Sequence, residues 1–496
     1  MNQTVIIAVG AFAYVAILIL ISVFASRRVR DSTDYIVAGR KLPLGLCVFT
    51  VFATWFGSGT LIGAAGAAYS GGLGAVLANP FGSALCLLLT GLFYARVFRR
   101  LKLLTLPDLF RTRFGRTAEI VASLSIIPAY VGWVGSIFVA FGTVLNVVAG
   151  VDFETAILIG AVITIAYTYY GGMWAVSLTD FFQAIVIIVG LLILFPLVLQ
   201  DVGGWQGLTR SSPAGHFSMA PEPSIYGWIM FMQGLLVIGL GNIASQDLLQ
   251  RVFSARSEWV AQWSLYLSTV LYLTIAMIPV LVGIAGAIVM PNLAEPASVL
   301  PAMGKAYLPA IGMALFAGAM FSALMSSADG GMLAPASIFG NNVWSAIRSD
   351  SSGDRVLRVS RFAVVIVGLF GLATALFFQN VYQLMVKSFS ILMVGLFVPM
   401  TAAIYWKRAN EWGAVASMLS GLLSWIALEY WNQNIAEILL PAELMAAGVS
   451  LLVLVVISWT TAYRSPPKPS VDVDGQQIEM TERLGILGFP KSARRQ

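Results

Sequence analysis

The chain has 496 residues, of which 58% are hydrophobic and 10% are charged, and its mean hydropathy is +0.85. Because soluble globular proteins carry about 25% charged residues, this composition indicates an integral membrane protein and not a soluble enzyme behind a signal peptide. The single histidine, His216, lies in a polar loop, and Cys47 and Cys86 lie in apolar runs, which argues against a histidine metal centre and a disulfide framework. The net charge of +6 does not indicate nucleic-acid binding, because the basic residues lie at predicted membrane edges.

Thirteen apolar segments are long enough to cross a bilayer as helices. They lie near residues 4–25, 43–68, 74–95, 119–149, 155–171, 176–200, 226–249, 259–290, 308–340, 362–379, 383–405, 412–431 and 443–463. The predicted fold is therefore an all-α polytopic membrane protein with about 13 transmembrane helices.

The positive charges predict the orientation, because cytoplasmic loops are enriched in lysine and arginine. With the N-terminus outside and the C-terminus inside, 26 of the 29 lysines and arginines fall in inner loops or the tail. Arg251 is one of these 26. The exceptions are Arg210 and Lys305 in outer loops and Lys387 within a span.

The stretch from Phe49 to Tyr69, FTVFATWFGSGTLIGAAGAAY, is uncharged and contains Gly57-Ser58-Gly59 in its middle. Glycine favours an open helix, and a helix opens inside a bilayer only where protein or water supplies hydrogen bonds. Such a break frees the carbonyl oxygens of residues 53–56 as possible ion ligands. The alternative is a closely packed Gly/Ala helix interface.

A second interruption is predicted in span 226–249, which carries Gly234, Gly239 and Gly241. The two interrupted spans are five spans apart and enter the membrane from opposite sides, a pattern of inverted-repeat transporters that bind solute at the midplane. The predicted organisation is a five-plus-five inverted repeat, with an additional helix before it and two after it. The domain boundaries are 1–30 for the first helix, 31–205 and 206–410 for the repeats, 411–463 for the last two helices and 464–496 for a cytoplasmic tail.

In the stretch FSALMSSADGG, Ala323, Ser326 and Ser327 share one helix face. One carbonyl and two hydroxyls there would complement the carbonyls of Ala53 and Phe56 across a helix crossing. Such an oxygen set suits a hard monovalent cation. The alternative is that both serines bond back to carbonyls of their own helix.

Two acids, Asp180 and Asp329, and one base, Lys387, lie within predicted spans. Intramembrane charges are costly and usually face a polar cavity, so both acids are candidates for a cation path. Asp180 has an alternative role in capping the start of its helix. Lys387 either reaches an interface or meets a carboxylate, such as that of a solute.

Several motifs together resemble the sodium:solute symporter family, over about residues 32–421. They are DYIVAGRKLP, ATWFGSGTLIG, YTYYGGMWAVSLTDFFQ, SQDLLQRVFSARS and MSSADGGMLAPASIF, and the pattern is most similar to that of the high-affinity choline transporters. The resemblance implies the leucine-transporter-type fold and a sodium site. Its ligands would be the carbonyls of Ala53, Phe56 and Ala323 and the hydroxyls of Ser326 and Ser327. It also places Asp180 and Asp329 near a second cation or its path.

The resemblance further implies where the solute binds. Trp55 and Trp133 fall on two of four aromatic cage positions of the choline transporters, whereas Ser83 and Ser245 replace the other two rings. A quaternary ammonium group binds several aromatic faces, so half a cage leaves the solute open. Further candidates for solute contacts are Gly57, Asn242 and Lys387. The polar ligands of sugar transporters are absent, with Pro80 and Ile238 at the matching positions, which argues against a sugar.

The predicted function is sodium-coupled import of a small organic solute, choline-like or amino-acid-like, by alternating access across the cell membrane. The alternatives are a symporter for a monocarboxylate or pantothenate-like anion and a non-transporting solute sensor on the same scaffold. No activated nucleophile or acid/base pair indicates an enzyme. The predicted partners are the solute, sodium and the lipid bilayer, with no cofactor; ion stoichiometry and oligomeric state are left open.

Overall fold

The computed structural model describes residues 10, 14, 16–18, 20–21, 24, 29, 31–347, 353–435, 440–469, 471–472 and 475–476. The first predicted span, 4–25, and the predicted tail, 464–496, lie largely outside these residues.

Every regular element among the described residues is a helix, and no β-strand is present there. In chain order the helices are α1 (Ser32–Val37), α2 (Leu44–Trp55), α3 (Gly59–Arg100), α4 (Leu106–Arg113), α5 (Arg116–Ala149), α6 (Phe153–Ala166), α7 (Gly172–Asp201), α8 (Gly204–Ser211), α9 (Ile225–Gly241), α10 (Gln246–Ser254), α11 (Glu258–Val289), α12 (Val299–Tyr307), α13 (Ala310–Ile338), α14 (Gly353–Phe377), α15 (Val381–Tyr405), α16 (Glu411–Asn434) and α17 (Ala442–Thr460).

The longer helices correspond to the predicted spans from 43–68 onward, and the short helices α1, α4, α8 and α12 lie between predicted spans. Ten helical segments of the described chain are long and apolar enough to cross a membrane, and two shorter apolar helices, α2 and α6, belong to the predicted spans 43–68 and 155–171. The all-α polytopic fold class is therefore confirmed. The count of thirteen, the orientation and the repeat boundaries stay predictions.

The first predicted interruption is present where the glycines indicate it. α2 ends at Trp55, Phe56 leaves the helical conformation (φ −86°, ψ 56°), and α3 begins at Gly59. Within Gly59–Arg100 the backbone leaves the helical conformation at Gly72 (φ 66°, ψ −153°), between the predicted spans 43–68 and 74–95, and again at Asn79 (φ −145°, ψ 115°).

The second interruption lies later than predicted. α9 ends at Gly241, a tight turn follows, and Ser245 is extended (φ −82°, ψ 133°) before α10 begins. Gly234 and Gly239 stay inside α9, where a Cβ on either would come within 3.1 Å of a leucine side chain of α3. These two glycines therefore serve close helix packing instead of opening the helix.

Helix α13 lies at the centre of the bundle. Its residues from Phe316 to Ile338 are buried, and it packs against α2, α5, α7 and α10. A helix that is apolar on all faces has no solvent side and is stable only when other helices surround it. The serines and the aspartate of α13 are therefore enclosed by protein.

The outward faces of the peripheral helices are apolar. On α7 the exposed side chains recur every three or four residues and form one stripe: Phe182, Ile185, Val189, Leu192 and Ile193. An exposed apolar stripe on a spanning helix is what a lipid-facing surface requires.

Gly283 lets the backbone of α11 lie close to that of α3. A Cβ at this position would lie 2.2 Å from the carbonyl oxygen of Ala65. We expect Gly283→Ala to destabilise the protein by about 1–3 kcal/mol, because overpacking forces the two backbones apart. The measurement is the thermal unfolding midpoint of purified protein in detergent.

The matched control is Gly448→Ala in α17, where an added Cβ meets no atom within 4 Å. Equal unfolding midpoints for the Gly283 variant, the Gly448 variant and the wild type would contradict the close packing of α3 on α11.

Candidate sodium and solute site

The break between α2 and α3 exposes a short run of carbonyl oxygens. The helical hydrogen-bond ladder stops with the Phe56 N–H donating to Phe52 O (2.9 Å) and resumes with the Leu61 N–H donating to Gly57 O (2.9 Å). The carbonyl groups of residues 53–56 lie between these two bonds, deep in the protein, where water cannot satisfy them. Trp55 O accepts instead from the Thr60 hydroxyl (3.1 Å).

The serine face of α13 lies directly against this break. Ser327 Oγ donates to Thr54 O at 2.8 Å, and Ala323, Ser326 and Ser327 are fully buried. The structure thus brings together the two stretches that the sequence analysis paired. The alternative in which the serines bond back to their own helix is wrong, because both hydroxyls donate to other helices.

Asp180 is part of the same cluster. Its Oδ1 accepts from Ser326 Oγ at 2.5 Å, and its Oδ2 accepts from the Thr50 hydroxyl. Asp180 is fully buried and lies two turns into α7, which begins at Gly172, so its alternative role as a helix-start cap is also wrong. Asp180 therefore ties α7 to both α2 and α13.

Asp329 lies three residues beyond Ser326 on α13, about 4.5 Å farther along the helix axis. It is fully buried and accepts from the Thr168 hydroxyl at 2.6 Å. The two predicted acids therefore lie about one helical turn apart along α13, Asp180 at the height of Ser326 and Asp329 at its own position on the helix.

Arg251 was predicted to lie in an inner loop, and the structure buries it instead, with 1% of its side chain exposed. Its Nη2 is 3.7 Å from Asp180 Oδ2, and its Nε donates to Thr50 O at 3.3 Å. A buried arginine needs a carboxylate and acceptors, and Asp180 and Thr50 supply them. In the sequence, the feature that could have indicated this burial is the position of Arg251 shortly after the second interrupted span.

A pocket lies between the two helix breaks. Its lining comprises Thr54, Trp55, Gly57, Ser58, Gly59, Asn79, Ser83, Trp133, Ile238, Asn242, Asp247, Ser327, Met385 and Phe389. Five of the predicted solute residues are in this set: Trp55, Gly57, Ser83, Trp133 and Asn242. The sixth, Ser245, is fully buried in the second break without lining the pocket.

The remaining predicted solute residue, Lys387, does not reach this pocket. Its side chain is 50% exposed and its Nζ is 2.9 Å from Glu429 Oε2. Met385 and Phe389, two positions to either side, face the pocket, so Lys387 points from the other side of α15. Lys387 therefore meets a carboxylate, as one of its two predicted alternatives has it, but the carboxylate is that of Glu429, and the predicted role of Lys387 in lining the solute pocket is wrong for this pocket.

The pocket combines aromatic faces with unsatisfied polar groups. The Trp133 ring lies 5.7 Å from the ring of Tyr130 and 5.6 Å from that of Phe389, measured between centroids. Trp55 Nε1 and Asn242 Oδ1 are buried and have no hydrogen-bond partner among the described residues, and the same holds for Ser245 Oγ in the second break outside the lining. Buried polar atoms are almost always paired, so the two atoms of lining residues are candidates to bind solute or water.

Comparison with known proteins identifies the chain. Residues 35–421 match the model of the sodium:solute symporter family. The chain belongs to this family. The human high affinity choline transporter 1 is 30% identical over 441 residues, covering 84% of this chain and 75% of that protein.

Other members and neighbours are more distant. The sodium/pantothenate symporter of Escherichia coli (strain K12) is 26% identical, covering 85% of this chain and 90% of its own length. A solved Na⁺-coupled sialic acid symporter superposes with a TM-score of 0.78 at 22% identity, covering 94% of this chain and 99% of that chain.

The motif-based family resemblance is thus confirmed, and the solved neighbours share the fold. As a sodium:solute symporter, the protein is a multi-pass protein of the cell membrane that couples sodium to the transport of a small organic solute. The names of the family and of its relatives are those of transporters and not of enzymes.

Gly57 lets the helix break lie close to Ser327 of α13. A Cβ there would lie 1.9 Å from Ser327 Oγ and 2.6 Å from Ser327 Cβ. We expect Gly57→Ala to push the break away from α13 and to lower sodium-driven solute uptake roughly tenfold or more. The measurement is uptake into proteoliposomes under an inward sodium gradient.

Gly45→Ala is the matched control, because it lies in the same helix α2 and an added Cβ meets no atom within 4 Å. If Gly57→Ala transported as well as Gly45→Ala, the contact between the break and α13 would have no functional role.

Proposed function

We propose that this symporter imports a choline-like quaternary ammonium compound together with sodium. The observation that carries the proposal is the position of Trp55 and Trp133 in one pocket between the two helix breaks. The aromatic faces attract a cation through the ring quadrupole, most strongly where water is excluded. The similarity to a protein named as a choline transporter supports the same solute class.

The lining also argues against the anionic alternative. The pocket residues include no lysine, arginine or histidine, although a monocarboxylate or pantothenate-like solute would need a cationic or strongly donating group. The amino-acid-like alternative shares this difficulty at its carboxylate end. A non-transporting sensor would bind solute without accumulating it, so concentrative uptake in proteoliposomes separates the two functions.

The proposed sodium site comprises the carbonyl oxygens of Ala53, Phe56 and Ala323 and the hydroxyl oxygens of Ser326 and Ser327. Support comes from the contact of Ser327 with the break and from the full burial of all five residues. Hydroxyls that now donate to Thr54 O and Asp180 Oδ1 still carry lone pairs, which are the groups that a hard cation binds.

Asp180 and Asp329 are proposed to lie on the path of the cation, or at a second cation. Asp180 contacts Ser326 directly, and Asp329 lies about one turn beyond Ser326 on α13. A carboxylate bonded to a sodium-ligating hydroxyl holds negative charge next to the ion, which lowers the cost of placing sodium in a low-dielectric interior.

Removing both hydroxyls tests the sodium site. We expect Ser326→Ala with Ser327→Ala to raise the sodium concentration for half-maximal uptake roughly tenfold, because two ligands worth about 0.5–1.5 kcal/mol each are lost. The control is Ser125→Ala, whose hydroxyl bonds to Val121 of its own helix. An unchanged sodium dependence in the double variant would exclude these serines as ligands.

Graded substitution of the two tryptophans tests the solute class. We expect choline to bind Trp133→Phe and Trp55→Phe more weakly than wild type, and the Leu variants more weakly still, by roughly 2- to 30-fold. The measurement is the sodium-dependent thermal shift of purified protein titrated with choline. Trp228→Leu, at an exposed position on α9, is the control. Equal affinities of the Phe and Leu variants would exclude cation–π recognition.

A further inference from the structure

We propose that the carboxylate of Asp247 is the counter-charge that binds the cationic group of the solute and selects cations over neutral and anionic molecules. This inference rests on the proposed function, in that it takes the pocket between the breaks as the solute site. No prediction from the sequence assigned a role to Asp247.

Asp247 is placed by the second break. Ser245 is extended, α10 starts at Gln246, and Asp247 is the second residue of that nine-residue helix. It lines the same pocket as Trp55, Trp133 and Asn242, with only 3% of its surface exposed. The start of a helix carries a partial positive charge, which attracts a carboxylate.

The surroundings hold the carboxylate in place without neutralising it. Its Oδ1 accepts from the Tyr130 hydroxyl, whose oxygen in turn accepts from the Asp247 backbone N–H at 2.9 Å. Tyr130 is fully buried in α5 and its ring contacts the Trp133 ring edge-on. The carboxylate is therefore anchored next to an aromatic face of the pocket.

The nearest cation on α10 is directed elsewhere. Arg251 Nη1 donates to the backbone oxygen of Asp247 at 2.7 Å, while its Nη2 faces Asp180 Oδ2 at 3.7 Å. Among the described residues, no lysine, arginine or histidine nitrogen forms a salt bridge with the Asp247 carboxylate. Arg251 therefore pairs with the carboxylate of Asp180 and with the backbone of Asp247, which leaves the Asp247 carboxylate without a cationic partner among the described residues.

A buried charge without a counter-ion is costly, and a solute cation would supply that counter-ion. This also explains how half an aromatic cage suffices. Ser83 and Ser245 offer no ring faces, but one carboxylate next to Trp55 and Trp133 provides attraction that the missing rings would otherwise provide. An anionic solute would be repelled from the same position.

The test compares Asp247→Asn with wild type on two solutes of matched shape: choline and 3,3-dimethyl-1-butanol, in which an uncharged carbon replaces the nitrogen. Binding is measured by thermal shift in sodium buffer. We expect the variant to bind choline roughly 30-fold or more weakly, and the uncharged alcohol within about threefold of wild type, since removing one member of a buried charge pair costs mainly the charged partner.

Tyr130→Phe is the matched control, because it removes both hydrogen bonds between the Tyr130 hydroxyl and Asp247 and keeps the charge. It should bind choline within about tenfold of wild type, as expected for the loss of two hydrogen bonds. Sodium-induced stabilisation without solute should persist in both variants, which shows that they are folded. An equal loss for choline and the alcohol, or no loss of choline in Asp247→Asn, would overturn the role of Asp247.

A wider panel separates this inference from the proposed function. If wild-type protein binds a primary organic amine but neither choline nor tetramethylammonium, and Asp247→Asn loses that amine, the quaternary-ammonium proposal fails while the role of Asp247 holds. If wild-type protein binds pantothenate or a monocarboxylate and none of the cations, both fail.

Discussion

The site depends on one constraint: the backbone oxygens freed by the helix break need partners inside the protein. The hydrogen bond from Ser327 to the Thr54 carbonyl is one of the contacts that meets it. Hydrocarbon offers no hydrogen-bond partners, so a helix interrupted at membrane depth is stable only if protein supplies them. Here the surrounding helices supply serine and threonine hydroxyls, and Gly57 lets α13 approach the break without a Cβ in the way. The same freed oxygens that make the break expensive make it suitable for a cation.

The buried charges extend this arrangement from the proposed ion site to the solute pocket. Asp180 contacts Ser326 on one side and Arg251 on the other, and Arg251 donates to the backbone of Asp247, which lines the pocket. Helix α10 thus holds residues of both sites within two turns. Continuity of contacts alone does not establish coupling, which needs an element with two arrangements that both ligands bias. Helix α10 is suited to that role because the extended residue Ser245 separates it from α9.

The sequence predicted the parts of the site that depend on backbone chemistry and helical spacing. Glycines at 57 and 59 indicated a break, and the i, i+3, i+4 spacing of Ala323, Ser326 and Ser327 indicated a shared face. Both follow from local rules, and the structure joins them. The position of the second break was less predictable, because glycine in a spanning helix has two uses, opening the helix and close packing, and only the neighbouring leucines of α3 distinguish them.

The charged residues were harder to predict, for a physical reason. Whether an acid or a base faces a pocket, lipid or a partner depends on tertiary contacts that hydropathy does not contain. Lys387 pairs with Glu429, which lies 42 residues later in another helix. Arg251 was predicted to lie in a loop, and only the contact between α10 and α2 shows that it is buried. Asp247 belongs to the polar run Ser245-Gln246-Asp247, and nothing in that run indicates that its side chain faces a pocket. Its pocket-facing position follows from the extended Ser245, which no sequence pattern indicated.

The volume of the pocket adds a final step to the mechanism. The cavity volume is about 20 Å³, and by the same measure about 10–15 Å³ holds one water molecule, so an organic solute does not fit beside the side chains as they stand. Met385 lies in this space: its sulfur is 3.6 Å from the Asn79 amide, and a Cβ on Gly59 would lie 1.9 Å from it. Methionine is unbranched and adapts its shape at low cost. Solute entry therefore requires lining side chains to move, and Met385 is the side chain best suited to do so.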